Sequence, residues 1–152
     1  MPEATEEFKR RLREAFDGMH VGQTFTFRRT FTDGDVALFC GVTGDYNPYH
    51  QDESFAKESP YGRLTIPGLL TGSMLTHIGG LLGFLATEMS FEYLAPVFVG
   101  DTIACTVTIA EKNEEKRRIL ASAGFMNQDG VEALRALRAS FSGFPGRVRL
   151  AR

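Results

Sequence analysis

Apolar residues recur at two spacings along this chain, and the switch between them divides it into elements. Over residues 5–18, TEEFKRRLREAFDG, Phe8, Leu12 and Phe16 stand four apart. That spacing predicts a helix, with Thr5 as its cap and the acids ahead of the bases, as the helix dipole prefers. Residues 23–31, QTFTFRRTF, alternate and are rich in Thr and Phe, the pattern of a strand. Thr32-Asp33-Gly34-Asp35 has capping-box spacing and opens a short helix running through Phe39 to Val42. Residues 68–86, GLLTGSMLTHIGGLLGFLA, are apolar nearly throughout and predict one long helix buried on all sides. Its glycines pair four apart, Gly68 with Gly72 and Gly79 with Gly83, so something flat, such as a sheet, is expected against that face. From residue 88 the period falls to two. Strands are expected at 88–94, 102–111, 116–127 and 131–144, with turns at Gly100-Asp101 and at Asn127 to Gly130. Ile103, Cys105, Val107 and Ile109 share one face of the second of these. In the last, Leu134, Leu137 and Arg138 also have a helical spacing, and the hairpin turn before it favours the strand. The basic tail, PGRVRLAR, is expected to fray.

The predicted order is helix, strand, helix, irregular segment, long buried helix, then four antiparallel strands. That is an α+β fold, an antiparallel sheet curled round one central helix. Residues 1–152 are expected to form a single domain, with 1–20 as a helical extension that the core does not need. A sheet that buries one face leaves an outer face or an edge strand for a partner chain, so a homodimer or higher homo-oligomer is expected.

Composition narrows the classes. The 152 residues are 43% hydrophobic and 24% charged, ordinary globular usage, which excludes disorder over most of the length. The net charge is −2, without the basic excess of a nucleic-acid binder. Two cysteines, Cys40 and Cys105, cannot build a disulfide scaffold or a four-cysteine zinc site. Free thiols in a reducing cytoplasm are the simpler reading. Residues 2–15 are too polar for a signal peptide. Leu64 to Thr87 runs 24 residues without a charge, long enough to span a bilayer, but it carries Pro67, five glycines, His77 and several hydroxyls. A buried helix fits it better than a membrane span.

The candidate chemistry lies in residues 43–67, TGDYNPYHQDESFAKESPYGRLTIP, a long irregular segment holding three of the six prolines. Segments of this kind inside compact domains are usually functional. One helical turn is expected at Asp52–Lys57. Asp45 and His50 stand five apart across a proline turn that can fold both toward one point. A carboxylate beside an imidazole is a common device for holding and deprotonating a water. Bland readings exist for each neighbour: Asp45 and Asn47 are turn formers, and Asp52 is a helix cap. His20 reads as solvated, His77 as a hydrogen-bonded core histidine, and Met74 and Met89 as core fillers. No HExxH or paired-histidine spacing supports a metal, and none is expected.

Asp45, Asn47, Pro48, His50, Asp52 and Ala56 spell D-x-N-P-x-H-x-D-x-x-x-A, which resembles the hydratase signature of the MaoC-like hot-dog family, the (R)-specific enoyl-CoA hydratases. IPGLLTGSML resembles the start of that family's central helix. YLAPVFVGDTI is similar to its following strand, with Pro96, Val97, Gly100 and Asp101 in the turn. The likeness runs from about Phe31 to at least Ser142. It departs at one point: the family usually has His-Gly where this chain has Pro67-Gly68, and proline brings no N–H, so any backbone donor there is Gly68 or Leu69.

The resemblance implies a hot-dog fold and a hydro-lyase that adds water to a trans-2-enoyl thioester, or removes it from an (R)-3-hydroxyacyl thioester. Asp45 and His50 would hold the water. Gly68, at an electropositive helix start, would receive the thioester carbonyl. Asn47 would orient the loop. Ser73 matches a serine that supports the active-site Asp, and its local alternative is a bond to the carbonyl one turn back. No cofactor is needed; coenzyme A or acyl carrier protein arrives with the substrate. Arg63, Arg117, Arg118 and Arg147 are candidates for its phosphates. A thioesterase on the same fold and a non-catalytic acyl-thioester binder are the alternatives, and the Asp45/His50 pair favours hydration over both.

Overall fold

A computed structural model describes residues 3–145. The basic tail, residues 146–152 with Arg147, lies outside the described residues. Six helices and five strands follow in the order α1 (Glu6–Asp17), β1 (Thr24–Thr30), α2 (Asp33–Thr43), α3 (Pro48–Gln51), α4 (Glu53–Glu58), α5 (Gly68–Gly72), α6 (Thr76–Leu82), β2 (Leu85–Tyr93), β3 (Thr102–Asn113), β4 (Arg118–Met126) and β5 (Glu132–Ser142). A 3-10 turn, Ser73–Leu75, joins α5 to α6. The strands form one antiparallel sheet in the order β1-β3-β4-β5-β2. Its concave face and the α5–α6 run enclose the core, in which Leu75 and Ile78 from the helix meet Ile103, Val107, Phe125 and Phe141 from the sheet.

The strands follow their alternation. On β3, Ile103, Cys105, Val107 and Ile109 are buried together, and β5 is a strand throughout. The turn before β5 closes through the Asn127 N–H on the Val131 carbonyl, with Gly130 at φ +78. The Thr32 capping box is present: the Thr32 hydroxyl accepts from the Asp35 N–H, and the Asp35 carboxylate accepts from the Thr32 N–H.

The central helix departs from expectation in three ways. It is not one helix to residue 86 but ends at Leu82, and Leu85 and Ala86 already pair with Phe141 and Ser142 of β5. Gly83, at φ +65, is its left-handed stop, and a side chain is strained at that φ. The middle tightens to a 3-10 turn where Ser73 Oγ donates to the Leu70 carbonyl (2.6 Å) and Thr76 Oγ1 to the Ser73 carbonyl (2.7 Å). Such back-bonds compete with the regular i to i−4 ladder. The glycine pairs meet different neighbours from those expected. Gly68 lies under the Tyr93 ring and Gly72 under the Phe91 ring, so β2 approaches with aromatic side chains rather than with backbone. Only Gly79 meets main chain, the Phe84 carbonyl, 2.7 Å from where a Cβ would stand. His77 is also not a core histidine: it is exposed, with its ring edge on Phe27 at 4.5 Å.

α1 caps one end of this core. Phe16 is fully buried, while Phe8 of the same stripe stays exposed, so only the second half of the helix is seated. Leu12 packs against Gly83. Arg117, in the β3–β4 turn at φ +49, clamps the helix from the far end of the chain. Its guanidinium stacks on Phe16 and donates to Asp17 Oδ1 (2.9 Å), to the Arg13 carbonyl (3.1 Å) and to the Phe144 carbonyl (2.9 Å).

Candidate active site

Two short helices deliver the two central groups. α2 ends at Gly44, whose φ of +76 turns the chain sharply, so Asp45 is thrown off the helix end. The Asp45 N–H is held there by Thr43 Oγ1 (3.2 Å). α3 then begins at Pro48, suited to a first helical position. Asn47 caps it, its Oδ1 accepting from the Tyr49 N–H (3.2 Å). This turn was not expected from the sequence, and it carries His50. The next turn, α4, falls at Glu53–Glu58 and is capped by Asp52, which accepts from the Ser54 and Phe55 N–H groups (2.9 and 3.0 Å). Asp52 is therefore structural, and Asn47 acts by shaping the turn that carries the imidazole.

Asp45 Oδ2 and His50 Nε2 face each other at 3.9 Å, with the imidazole 13% exposed and the carboxylate 43%. That gap is too long for a direct hydrogen bond and suits two groups sharing one water. The imidazole is fixed from behind: Nδ1 lies 2.8 Å from the Thr65 carbonyl oxygen. A carbonyl only accepts, so Nδ1 carries a proton, and in the neutral ring Nε2 presents its lone pair toward Asp45. Thr65 is itself tied down, its N–H donating to the Tyr49 carbonyl (2.9 Å) and an isolated antiparallel bridge pairing it with Phe98. Thr65 is a site residue that the sequence did not reveal. It acts through a backbone carbonyl, which leaves no side-chain signature.

Thr65 also lines a cavity of about 260 Å³ between the start of α5, the 94–97 segment and the start of β5. Gly68 and Thr71 form its helical wall, and none of its lining side chains is charged. Pro67 sits at the cap rather than in the first turn, and its carbonyl accepts from the Leu70 and Thr71 N–H groups. The first N–H groups of a helix have no partner within it, which leaves those of Gly68 and Leu69 for a ligand. The Leu69 side chain points outward and is exposed. Ser73 falls on a different wall: its hydroxyl takes the local bond to Leu70, and it lines a second cavity of about 510 Å³ that faces Phe27 and Phe31. Of the arginines, Arg63 lies flat over Phe98 at 3.8 Å, and Arg117 is committed to the α1 clamp.

Comparison with known proteins agrees with this architecture. A curated 3-hydroxybutyryl-CoA dehydratase from Methylorubrum extorquens is 32% identical over 107 residues, 68% of this chain and 68% of that one. An (R)-specific enoyl-CoA hydratase from Aeromonas caviae is 30% identical over 125 residues, 76% of this chain and 90% of that one. The solved structure of an (R)-hydratase from A. caviae superposes with a TM-score of 0.77 at 27% identity, covering 82% of this chain and 96% of that one. The fold is thus the hot-dog fold of those hydratases. The family model described as MaoC like domain matches residues 18–127, a span that leaves α1 and β5 outside and takes in both short helices, the central helix and the first four strands. With its sheet, its central helix and its Asp45/His50 loop all inside or around that match, the chain belongs to the MaoC-like domain family.

Proposed function

We propose that this protein is a hydro-lyase that adds water to a trans-2-enoyl thioester, giving the (R)-3-hydroxyacyl thioester, and that it also runs the reverse dehydration. The observation that carries this reading is the 3.9 Å gap between Asp45 Oδ2 and the Nε2 of His50, whose other ring nitrogen is engaged by the Thr65 carbonyl. Water has two hydrogens and the gap has two acceptors. With one O–H on each, the water's oxygen lone pair is free for C3. As the C3–O bond forms, His50 takes one proton, and the electron pair of the C2=C3 bond shifts toward the thioester carbonyl. The imidazolium is stabilised by the Thr65 carbonyl and the Asp45 carboxylate. The same proton then passes to C2, so one water supplies both the hydroxyl and the new hydrogen. The thioester oxygen rests on the Gly68 N–H, where the developing charge is met by a fixed donor. The names of the relatives support the same reaction class: two act on CoA thioesters, and a tomato relative is a dehydratase of acyl-carrier-protein substrates.

The assay follows loss of the conjugated thioester's absorbance with crotonyl-CoA and longer enoyl-CoA substrates. Asp45→Asn and His50→Ala are each expected to lower kcat by about 10²–10⁴-fold, the scale of one acid–base group. Turnover that persists near the wild-type rate in either variant would remove the assignment. Thiol release from saturated acyl-CoA in place of hydration would make the protein a thioesterase.

The working unit is a homodimer formed through the free edge of β2. Leu81, Leu85, Tyr93 and Leu94 are exposed along that edge and the adjoining helix, apolar side chains that a second copy would cover. Among the described residues no helix is long and apolar enough to cross a membrane. Both cysteines are free and buried, which fits the reducing cytoplasm as its location.

A further inference from the structure

β2 sends two aromatic rings against the central helix. Phe91 and Tyr93 are two apart and so share a face of the strand, with ring centroids 6.5 Å apart. Phe91 covers Gly72 and packs against the core. Tyr93 covers Gly68, one turn earlier, and is 59% exposed. Its ring comes so close that a Cβ built on Gly68 would overlap it, and the carbons in contact are Cδ1, Cε1 and Cζ. The main chain at this point is fixed. Tyr93 pairs with Leu134 of β5, and the next two N–H groups, of Leu94 and Ala95, both donate to the Ala133 carbonyl (2.9 and 3.1 Å).

Tyr93 and Gly68 both line the 260 Å³ cavity. The two aromatic residues of that lining, Tyr61 and Tyr93, are both exposed, so they stand where the cavity meets solvent. A thioester whose oxygen accepts from the Gly68 N–H therefore lies against the Tyr93 ring, which rests on the same residue. An enoyl thioester is conjugated and flat from its sulfur to C3. The chain beyond C3 is free to turn into the cavity. A substituent on C2 is not: it stays in the plane and beside the thioester group, whichever way the C1–C2 bond is turned. It is the substituent that meets the ring.

We propose that Tyr93 is a specificity-determining residue that restricts the protein to enoyl thioesters unsubstituted at C2. This rests on the hydratase reading above. The volume of the ring does the work, since ring carbons and not the hydroxyl make the contact with Gly68. A methyl on C2 fits only if the ring gives way. The ring has little freedom to do so, with its main chain held to β5, Phe91 beside it and the helix start beneath it. A second copy on the β2 edge closes the side that is left. Discrimination of this kind, one carbon more or less in a shaped pocket, is worth about 10–200-fold in kcat/KM.

The test measures kcat/KM on crotonyl-CoA and on its 2-methyl derivative for wild type, Tyr93→Phe and Tyr93→Ala. A C2 methyl also slows the chemistry itself, so the readout is the ratio of the two values, compared between proteins. Tyr93→Ala trims an exposed side chain and is expected to fold. Rates are taken at concentrations at which it scatters light as wild type does, so that a change in assembly does not enter. The preference for crotonyl-CoA is expected to shrink by about 10–200-fold in Tyr93→Ala and to persist in Tyr93→Phe, which keeps the ring. An unchanged ratio in Tyr93→Ala would overturn the proposal. So would a Tyr93→Phe ratio that shrinks with it, which would place the effect on the hydroxyl, or a wild type that hydrates both substrates equally well. In each of these cases an active wild type leaves the hydratase reading standing. A wild type inert on every enoyl thioester would remove that reading and this inference with it.

Discussion

Thr65 organises the site without contributing a charge. Its carbonyl engages the imidazole's Nδ1, and the residue also lies on the wall of the 260 Å³ cavity. A single residue therefore links the imidazole to that space. A second residue-scale consequence concerns Cys105. Burial on the inner face of β3 pushes its thiol up to about 12, so it stays protonated and inert at ordinary pH. Iodoacetamide at mildly alkaline pH is expected to leave Cys105 unmodified in the folded protein and to label it once the chain is unfolded. Fast labelling of the native state would show that β3 opens. Asp45 and His50 stand out in the sequence as a carboxylate and an imidazole five apart in a motif that resembles the hydratase signature, and the fold brings them to 3.9 Å. Thr65 was not legible, since any residue has a carbonyl; of the two readings that Ser73 carried, the structure shows the local bond one turn back.

At the scale of elements, the ends matter more than the middles. α2 is started by the Thr32/Asp35 box and stopped by Gly44, and its two ends together aim Asp45. Thr32→Ala is expected to cost about 1 kcal/mol in chemical denaturation, the usual effect of losing a cap. Asp35 makes this cap dependent on pH. The Thr32 N–H, and then the Arg29 guanidinium, hold its carboxyl below the usual carboxylate range. A lowered folded pKa means stabilisation that is full above the ordinary value and lost as pH falls through the depressed one. The stability gap between wild type and Asp35→Asn should thus be widest near neutrality and close in acid; a gap that persists in acid would assign the effect to shape rather than charge. Thr32 to Asp35 was readable because a capping box is a local spacing. The end at Gly83 was missed because that glycine also fits a packing pair, and only the left-handed φ separates the two roles. α3 was missed because a turn of four residues has no period to read.

For the whole molecule, alternation along each strand predicted the sheet, but strand order is a long-range property that no local pattern encodes. That β1 and β2 end up as the two edges emerged only in three dimensions. The exposed apolar side chains at the two ends of β2, Leu85 and Tyr93, make the assembly testable. Light scattering is expected to give a dimer at micromolar concentration, and Leu85→Asp, which puts a charge on that edge, is expected to shift it toward monomer. A wild-type monomer, or a variant dimer as tight as wild type, would move the interface elsewhere.

The Arg117 clamp has a meaning in time as well as in space. α1 is held by a guanidinium about a hundred residues later in the chain and shares it with the Phe144 carbonyl. Until both have emerged, α1 has only the part of its seat that Gly83 and Phe84 supply. Closing so long a loop costs entropy that nearer contacts do not. Docking of α1 is therefore expected as the final event of folding and its release as the first event of unfolding. In hydrogen exchange, the amides of Glu6–Asp17 should open before those of β3 and β4, with the end of the core lined by Phe84 uncovered first.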